Sequence, residues 1–393
     1  METVARLSDA ISRYDEAFET RCQDAPPPAP MTHALNMSLN DLRQWFLERD
    51  QPAYRAQQLS RWVFGQRLRE WHQMTDFPTR LREEVAEHLS LWTTEIARHQ
   101  HAADGTEKHL LQLSDGRSVE SVLLRDGVRR TICISTQVGC AMGCVFCASG
   151  IGGVERNLTT GEIVEQTLRL QHLLPPDERL SHVVVMGMGE PLANLTALLA
   201  ALAWVSDQHG LGISPRRVTI STVGIPAAID KLCDLKSRFH LAVSLHAPHD
   251  KLRDQLVPIN RQIGLDAVMQ AAARYFEVSG RRLTFEYVLL AGVNDHDEHA
   301  RQLARLLRGH TALLNVIPYN PVAGLPYDTP SLEAQRRFCG ILTGGGVNVQ
   351  VRERKGDRID AACGQLRRQA QTVLPSIAPR PTVSDAPSGT SAS

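Results

Sequence analysis

The chain has no excess of either charge and no apolar stretch long enough to cross a bilayer. Lys plus Arg and Asp plus Glu each number 43 among 393 residues, so the formal net charge is +0. Any RNA-binding surface must therefore be a local basic patch. The longest apolar run, residues 192–205, is interrupted by Asn194 and Thr196 and is too short for a membrane span. Residues 1–24 lack an apolar targeting segment, so we expect a cytoplasmic protein without membrane contact.

The sequence also lacks the second cysteine pair that a structural zinc site usually needs. Three of the 8 cysteines form a C-x3-C-x2-C motif at Cys140, Cys144 and Cys147. Structural zinc is held by four ligands, whereas three thiolates on one loop leave one iron of a 4Fe–4S cluster without a protein ligand. That iron can chelate the amino and carboxylate groups of S-adenosylmethionine (SAM). We predict one 4Fe–4S cluster here, with a zinc site as the alternative.

Composition and hydrophobic periodicity divide the chain into five segments. The proline-rich stretch at 25–30 predicts a disordered leader over residues 1–35, and a Pro-, Ser- and Thr-rich composition predicts a disordered tail over 371–393. Residues 36–100 are predicted to form a small helical accessory domain that opens with a capping box at Ser38 and Asp41. Residues 101–130 are expected to be a β-rich connection.

Residues 131–370 alternate strands and helices in about six βα units, a pattern that implies parallel strands with right-handed crossovers. Six units fit an incomplete barrel better than a closed eight-fold one. The predicted fold class is therefore α/β, an incomplete (β/α)6 barrel with a small helical N-terminal accessory domain.

Small and polar residues follow four of the predicted strands. They are the GMGEP motif at 187–191, Ser221, the pair Ser244 and His246, and Asn320. Ligands of parallel α/β folds lie at the carboxyl ends of the strands, where Glu190 could accept a hydrogen bond from the SAM amino group. Singly, each residue fits a turn or a satisfied core position equally well. Together, beside the cysteine loop, they favour a cofactor site.

Five motifs resemble those of the RlmN/Cfr family of radical SAM RNA methyltransferases. They are ISTQVGCAMGCVFC at 134–147, GMGEP at 187–191, RVTIST at 217–222, LAVSLHAP at 241–248 and GDRIDAACGQ at 356–365. The resemblance covers about residues 36–370. It implies a radical-SAM barrel that methylates adenine C2 in 23S rRNA at the peptidyl-transferase centre and, in many members, an adenine in the tRNA anticodon loop.

The resemblance also implies site roles at matching positions. Cys363, in a C-terminal extension of the core, would carry the methyl group, Cys133 would be its partner cysteine, and Glu120 would accept a proton. The cofactor-binding set would be Gly189, Glu190, Ser221, Ser244, Leu245, His246 and Asn320. Two SAM molecules per turnover are implied, one to methylate Cys363 and one to generate a radical. Without the resemblance, both cysteines could be ordinary buried residues and Glu120 a solvated one.

Two alternatives remain open at this stage. The C8-methylating branch of the family uses the same cysteines, and a non-catalytic iron–sulfur or zinc RNA-binding module would cleave no SAM. The expected partners are 23S rRNA, tRNA and an electron donor such as flavodoxin or ferredoxin, and the chain is expected to be a monomer. Basic residues that flank Cys363 are predicted to contact phosphates; they are Arg352, Arg354, Lys355, Arg358, Arg367 and Arg368.

Overall fold

The structure, a computed structural model, describes residues 31–352 and 354–366. The tail predicted at 371–393 and residues 1–30 of the predicted leader lie outside the described residues. Ordered structure nevertheless begins before the predicted boundary at residue 36. Thr32–His33 is a strand and Leu35 is buried in the hydrophobic core, so the last leader residues belong to the folded part.

The first part of the described chain is helical, as predicted. It contains β1 (Thr32–His33), α1 (Leu39–Leu47), α2 (Tyr54–Ser60), α3 (Thr79–His88) and β2 (Leu89–Ser90). The Ser38 hydroxyl accepts from the Asp41 amide and the Asp41 carboxylate accepts from the Ser38 amide, so the predicted capping box is present. Such reciprocal bonds satisfy amides that a helix N-terminus leaves free. The short strands β1 and β2 pair in parallel and close this unit.

The predicted helical segment 36–100 is wrong at its carboxyl end. Residues there form β3 (Thr94–His101), which precedes β4 (Glu107–Leu113), β5 (Ser118–Asp126) and β6 (Arg129–Cys133). These four strands pair in antiparallel order. The last helix of this unit therefore ends at His88, β2 closes the unit at Ser90, and β3 belongs with the β-rich segment that follows.

The rest of the chain alternates strands and helices. The elements are β7 (Gln137–Gly139), β8 (Val154–Asn157), α4 (Thr160–Leu173), β9 (His182–Val185), α5 (Leu195–Ser206), β10 (Val218–Thr222), α6 (Pro226–Asp234), β11 (His240–Ser244), α7 (Asp250–Leu256), α8 (Asn260–Ile263), α9 (Leu265–Ser279), β12 (Leu283–Leu289), α10 (Asp297–Leu306), β13 (Ala312–Pro318), α11 (Leu332–Gly344) and β14 (Asn348–Val351). Within the described residues, none of the helices combines the length and apolar character that a membrane crossing requires.

The strands β3–β6 and β9–β14 form one ten-stranded sheet in the order β14-β13-β12-β11-β10-β9-β6-β5-β4-β3. All pairs from β6 to β14 are parallel. Every residue of β12 is buried, as expected for a parallel strand covered on both faces. Because β14 and β3 are the two free edges, the barrel is open. The predicted α/β class and incomplete (β/α)6 barrel are confirmed.

The carboxylate of Glu165 joins the helical unit to the barrel. It lies on α4, is fully buried, and accepts from His33 Nε2 of β1 at 2.5 Å. It also accepts from the backbone amides and hydroxyls of Thr93 and Thr94, at 2.6–3.0 Å. Burial alone would raise the pKa of Glu165, but the hydrogen bonds and the charge of His33 lower it overall. This carboxylate is therefore ionised at neutral pH and ties three elements together.

We predict that Glu165→Ala lowers the free energy of unfolding by about 3–5 kcal/mol, because five buried hydrogen bonds to a charged group are lost. Since the folded pKa is lowered, the contribution of Glu165 is complete above the ordinary carboxyl pKa of about 4.3 and disappears as the pH falls through the folded value. Urea unfolding at several pH values measures both effects. The exposed Glu87→Ala variant is the control, and equal stability of the two variants would contradict the prediction.

Candidate active site

The three cysteines of the C-x3-C-x2-C motif lie on one tight loop, residues 140–147, called here the cysteine loop. The antiparallel hairpin of β7 and β8 forms its base. The Cys140 amide donates to the Gly153 carbonyl at 3.0 Å, and the Val145 amide donates to the Leu256 carbonyl at 3.1 Å. The loop is therefore fixed at its start by its own hairpin and in its middle by α7.

The three thiols are placed close enough to influence one another. Burial raises the pKa of Cys140 to about 12 and that of Cys144 well above its usual value, and the neighbouring thiols of the loop add to both shifts. Burial also raises the pKa of Cys147. A metal that binds these thiols would have to displace their protons.

One cavity, of about 150 Å³, is lined by the cysteine loop together with the carboxyl ends of the parallel strands. We call it the cysteine cavity. Its wall includes five predicted cofactor residues: Gly189, Glu190, Ser221, Ser244 and His246. Leu245 is fully buried and its amide donates to the Glu286 carbonyl at 2.9 Å. The structure thus brings most of the predicted cofactor set beside the three cysteines.

Glu190 is held rigidly in the wall of the cysteine cavity. Its carboxylate accepts from Thr222 Oγ1 at 2.6 Å, from the Val223 amide at 2.9 Å and from the Leu192 amide at 3.0 Å. Burial raises the pKa of Glu190 although these bonds favour the charged form. The side chain is fixed in one orientation and can still accept from a bound ammonium group.

His246 has left-handed backbone geometry, with φ of 59°, and its ring is buried. The Val288 amide donates to its Nδ1 at 3.0 Å. Burial, with a smaller contribution from Arg253, lowers the pKa of His246 to about 3, so the ring is neutral. Because Nδ1 accepts, the proton lies on Nε2, which makes this nitrogen a donor toward a ligand.

At two positions of the GMGEP motif, the backbone lies so close to neighbouring residues that only glycine fits. A Cβ on Gly187 would lie 2.6 Å from the Ile134 carbonyl oxygen, and a Cβ on Gly189 would lie 2.7 Å from Gln137 Cβ. Gly189 also has φ of 104°, which disfavours any other residue. The end of β9 therefore packs directly against the segment that leads from β6 to the cysteine loop.

Arg253 is a structural residue of the site that the sequence analysis missed. Its side chain is fully buried, and its guanidinium donates to the carbonyls of Val223 at 2.6 Å, Ser244 at 2.9 Å and Leu245 at 3.1 Å. These carbonyls follow β10 and β11. A single cation on α7 thus fixes the ends of two neighbouring strands, and nothing in its local sequence distinguishes it from a surface arginine.

A second cavity, of about 310 Å³, lies beside the first and is called here the two-cysteine cavity. Its wall includes both predicted reactive cysteines, Cys133 and Cys363, and also Asn320. Asn320 Nδ2 donates to the Cys363 carbonyl at 3.2 Å. Asn320 therefore lies at the cysteine that was predicted to carry the methyl group, in a different cavity from most of the predicted cofactor set.

The two cavities share a wall. Both are lined by Met186, Ile317, Arg352 and Cys363. Burial raises the pKa of Cys133 to about 12, the charge of Cys363 adds to this, and Arg352 acts in the opposite direction. The neighbouring Cys363 in turn raises the pKa of Arg352. Arg352 lines both cavities, and its positive charge favours the thiolate form of Cys133; that it contacts phosphate stays a prediction.

Glu120 is almost completely buried and forms an ion pair that the sequence did not predict. Lys108 Nζ on β4 lies 3.1 Å from Glu120 Oε1 on β5, and the two side chains are 3% and 1% exposed. Lys108 Nζ also donates to the Asp360 carbonyl at 3.1 Å, three residues before Cys363. Glu120 lies on the same face of β5 as Val122, which lines the two-cysteine cavity.

Comparison with known proteins supports this description at the level of families. The chain matches a model of the radical SAM superfamily over residues 134–304. It matches a model of the ribosomal RNA large subunit methyltransferase N-terminal domain over residues 32–91. A crystal structure described as a radical SAM methyltransferase from Sphaerobacter thermophilus is 41% identical. The match covers 86% of this chain and 99% of the Sphaerobacter chain, with a TM-score of 0.83.

The open barrel and the three-cysteine loop at the end of its first parallel strand define a radical SAM protein. A protein of Rhodopirellula baltica, named as a probable dual-specificity RNA methyltransferase RlmN, is 62% identical over 86% of this chain and 91% of its own length. A protein of the same name from Symbiobacterium thermophilum is 48% identical over 85% of this chain. The chain belongs to the RlmN family of radical SAM RNA methyltransferases.

We predict that Lys108→Met destabilises the protein by about 3–5 kcal/mol, because the buried Glu120 carboxylate loses its ammonium partner. The double variant Lys108→Met, Glu120→Gln should recover part of the loss, since the uncompensated charge is removed. Chemical unfolding measures the free energies of unfolding that this double-mutant cycle compares. Lys231→Met, on the exposed face of α6, is the control. A Lys108→Met variant as stable as this control would show that the pair contributes nothing.

Proposed function

We propose that this chain methylates carbon 2 of an adenine in 23S rRNA and in tRNA, with Cys363 as the carrier of the methyl group. The single observation that carries the proposal is the position of Cys363 in the wall between two cavities. One cavity contains the cysteine loop and the other contains the partner cysteine. A group attached to Cys363 can therefore face the cofactor on one side and a substrate base on the other.

Proteins of the radical SAM superfamily use SAM with a 4Fe–4S cluster. The chemistry of the donor set fits this pair, because three neighbouring thiols can ligate three irons of a cluster. Glu190 and the neutral His246 offer an acceptor and a donor to SAM in the same cavity. When bound, the cluster and SAM supply a methyl group and a radical that removes a hydrogen atom from methylated Cys363.

The cysteine cavity is small for a molecule as large as SAM, since typical small-molecule sites measure about 300–1,000 Å³. The segment 354–366 carries Cys363 and contributes to the wall of both cavities. It is tied to the barrel by the Ala148 amide, which donates to the Gly364 carbonyl at 2.7 Å, and by Asn320. These contacts hold Cys363 at the wall that the two cavities share.

Radical chemistry is needed because the hydrogen on adenine C2 is neither acidic nor attached to a nucleophilic carbon. In the proposed sequence, the methylene carbon on Cys363 forms a bond to C2 and joins the RNA to the protein, and the unpaired electron of this adduct would pass to the oxidised cluster. Glu120 accepts the C2 proton, and Lys108 keeps this carboxylate close to the Cys363 segment. Cys133 as a thiolate then attacks Cys363 Sγ, and the bond from that sulfur to the methylene carbon breaks. The carbon takes up a proton from solvent and becomes the methyl group of the released RNA, which leaves a Cys133–Cys363 disulfide.

The RNA is proposed to approach over the two-cysteine cavity. Arg354 and Lys355 line it, and Arg354 Nε donates to Asn320 Oδ1 at 3.1 Å. Cations at this position can bind the phosphates on either side of an extruded base. The cavity volume of about 310 Å³ lies within the range of small-molecule sites. A cytoplasmic location, a flavodoxin-like or ferredoxin-like electron donor and a monomeric state remain predictions.

The first test uses anaerobically reconstituted protein with SAM, a reductant and unmodified 23S rRNA or tRNA. We expect 5′-deoxyadenosine and RNA methylated at adenine C2, identified by mass spectrometry of the digested RNA. Methylation at C8 would favour the other branch of the family. Absence of both 5′-deoxyadenosine and the methylated base would contradict the proposal and favour the alternative of a non-catalytic RNA-binding module.

A second test examines the partner cysteine. We predict that Cys133→Ala accumulates a covalent protein–RNA adduct, because no thiolate remains to attack Cys363. Denaturing gel electrophoresis with labelled RNA detects the adduct. The matched control is Cys233→Ala, which removes a free cysteine of α6 that lines neither cavity. Normal turnover of Cys133→Ala without any adduct would exclude the two-cysteine mechanism.

The rate of adduct resolution should depend on pH. With a pKa of about 12, Cys133 is almost entirely protonated at neutral pH. At pH values below this pKa, the thiolate fraction of Cys133 therefore increases about tenfold for each unit by which the pH rises. We expect the rate of RNA release in a single turnover to increase accordingly between about pH 7 and pH 9. We expect Arg352→Met to lower this rate at every pH in that range. A release rate independent of pH would contradict the role of Cys133.

A further inference from the structure

The antiparallel extension of the sheet carries a second group of metal-binding side chains. His99 and His101 lie on β3, and Glu107 and His109 lie on β4. The strand register pairs His99 with His109 and His101 with Glu107. Because side chains alternate along a strand, all four point to the same face of the hairpin. Lys108, between Glu107 and His109, points to the opposite face, where it pairs with Glu120.

The three histidines converge on one carboxylate oxygen of Glu107. His99 Nε2 lies 2.8 Å from Glu107 Oε2, while His101 Nδ1 and His109 Nε2 each lie 3.9 Å from it. Three potential ligand atoms lie within 4.8 Å of one another, one each from His99, His101 and Glu107. Ligand atoms around a tetrahedral zinc ion with bonds of 2.0–2.1 Å are about 3.3 Å apart. The distances from the three imidazoles to Glu107 Oε2, 2.8–3.9 Å, bracket that separation.

His109 provides an independent indication of a ligand. Its side chain is 0% exposed, and neither ring nitrogen has a hydrogen-bond partner. A buried polar side chain without a partner is rare and costly in a native protein. Nε2 of this ring points toward the Glu107 oxygen that the other two histidines face. A metal ion at this point would satisfy the nitrogen that the protein leaves unpartnered.

The other oxygen of Glu107 is already oriented. Arg125 on β5 donates to Glu107 Oε1 from Nη2 at 2.6 Å and from Nε at 3.0 Å. Arg125 also donates to Glu178 at 3.1 Å, so a second carboxylate offsets its charge. Outer-shell bonds of this kind fix ligating carboxylates in metal sites. Oε2 remains directed at the three histidines.

We propose that His99, His101, His109 and Glu107 form a binding site for a divalent transition metal ion, and that this ion is Zn²⁺. Three imidazoles and one carboxylate are a donor set suited to zinc, whereas magnesium and calcium prefer oxygen ligands. The side chains of His99 and His101 are 31% and 63% exposed, so an ion can enter from solvent. Bound there, it would join the edge strand β3 to β4 on the face opposite the two-cysteine cavity.

Metal analysis of the full-length, cluster-loaded protein tests this proposal. After equilibration with Zn²⁺ alone, we expect one zinc per chain in addition to the cluster iron. Zinc X-ray absorption should show nitrogen and oxygen neighbours and no sulfur, which separates this site from the cysteine loop. His101→Ala should weaken zinc binding by at least about tenfold. The double variant His99→Ala, His101→Ala should abolish it.

His72→Ala is the matched control. His72 is also exposed and lies 2.9 Å from the carboxylate of Glu70, but among the described residues it belongs to no group of potential metal ligands. It should leave zinc binding unchanged. Sulfur neighbours around zinc, failure of the wild-type protein to bind zinc, or full zinc binding by the double variant would each overturn the proposal.

Discussion

The position of Cys363 in a wall shared by two cavities is the constraint on which the rest of the site depends. The segment that contains it lies outside the regular sheet and is held by contacts to distant parts of the chain. Lys108 binds the Asp360 carbonyl, Asn320 binds the Cys363 carbonyl, and Ser149 Oγ donates to the Leu366 carbonyl at 2.6 Å. If these contacts fix the thiol between the cavities, one sulfur can meet reactants from both sides without exposing the cofactor to bulk water.

Buried and half-buried cations organise this region. Arg253 binds the carbonyls at the ends of two strands, the half-buried Arg352 lines both cavities, and Lys108 pairs with Glu120 beside the Cys363 segment. Burying a charge is costly unless hydrogen bonds and opposite charges compensate it. Such groups are unfavourable choices for stability alone, and their concentration around the two cavities is typical of a functional site.

The fold was largely predictable because its signals are local. Six βα units, the capping box at Ser38 and Asp41 and the open barrel follow from hydrophobic periodicity and helix-start residues. The segment Thr94–His101 was misread as part of the helical domain. It is an edge strand with mostly exposed side chains, so it has no apolar alternation to reveal it. Its pairing with β4 is decided by the sheet as a whole.

The sequence by itself determined the cysteine loop, because the ligand spacing of C-x3-C-x2-C lies within eight residues. It also determined which strands end in polar residues. Only the tertiary structure decided that Cys133 and Cys363 line one cavity and that Lys108 meets Glu120. It likewise decided that His109 faces the histidines of β3. The physical reason is that spacing along the chain fixes neighbours within an element, whereas strand register and crossover packing fix neighbours between elements.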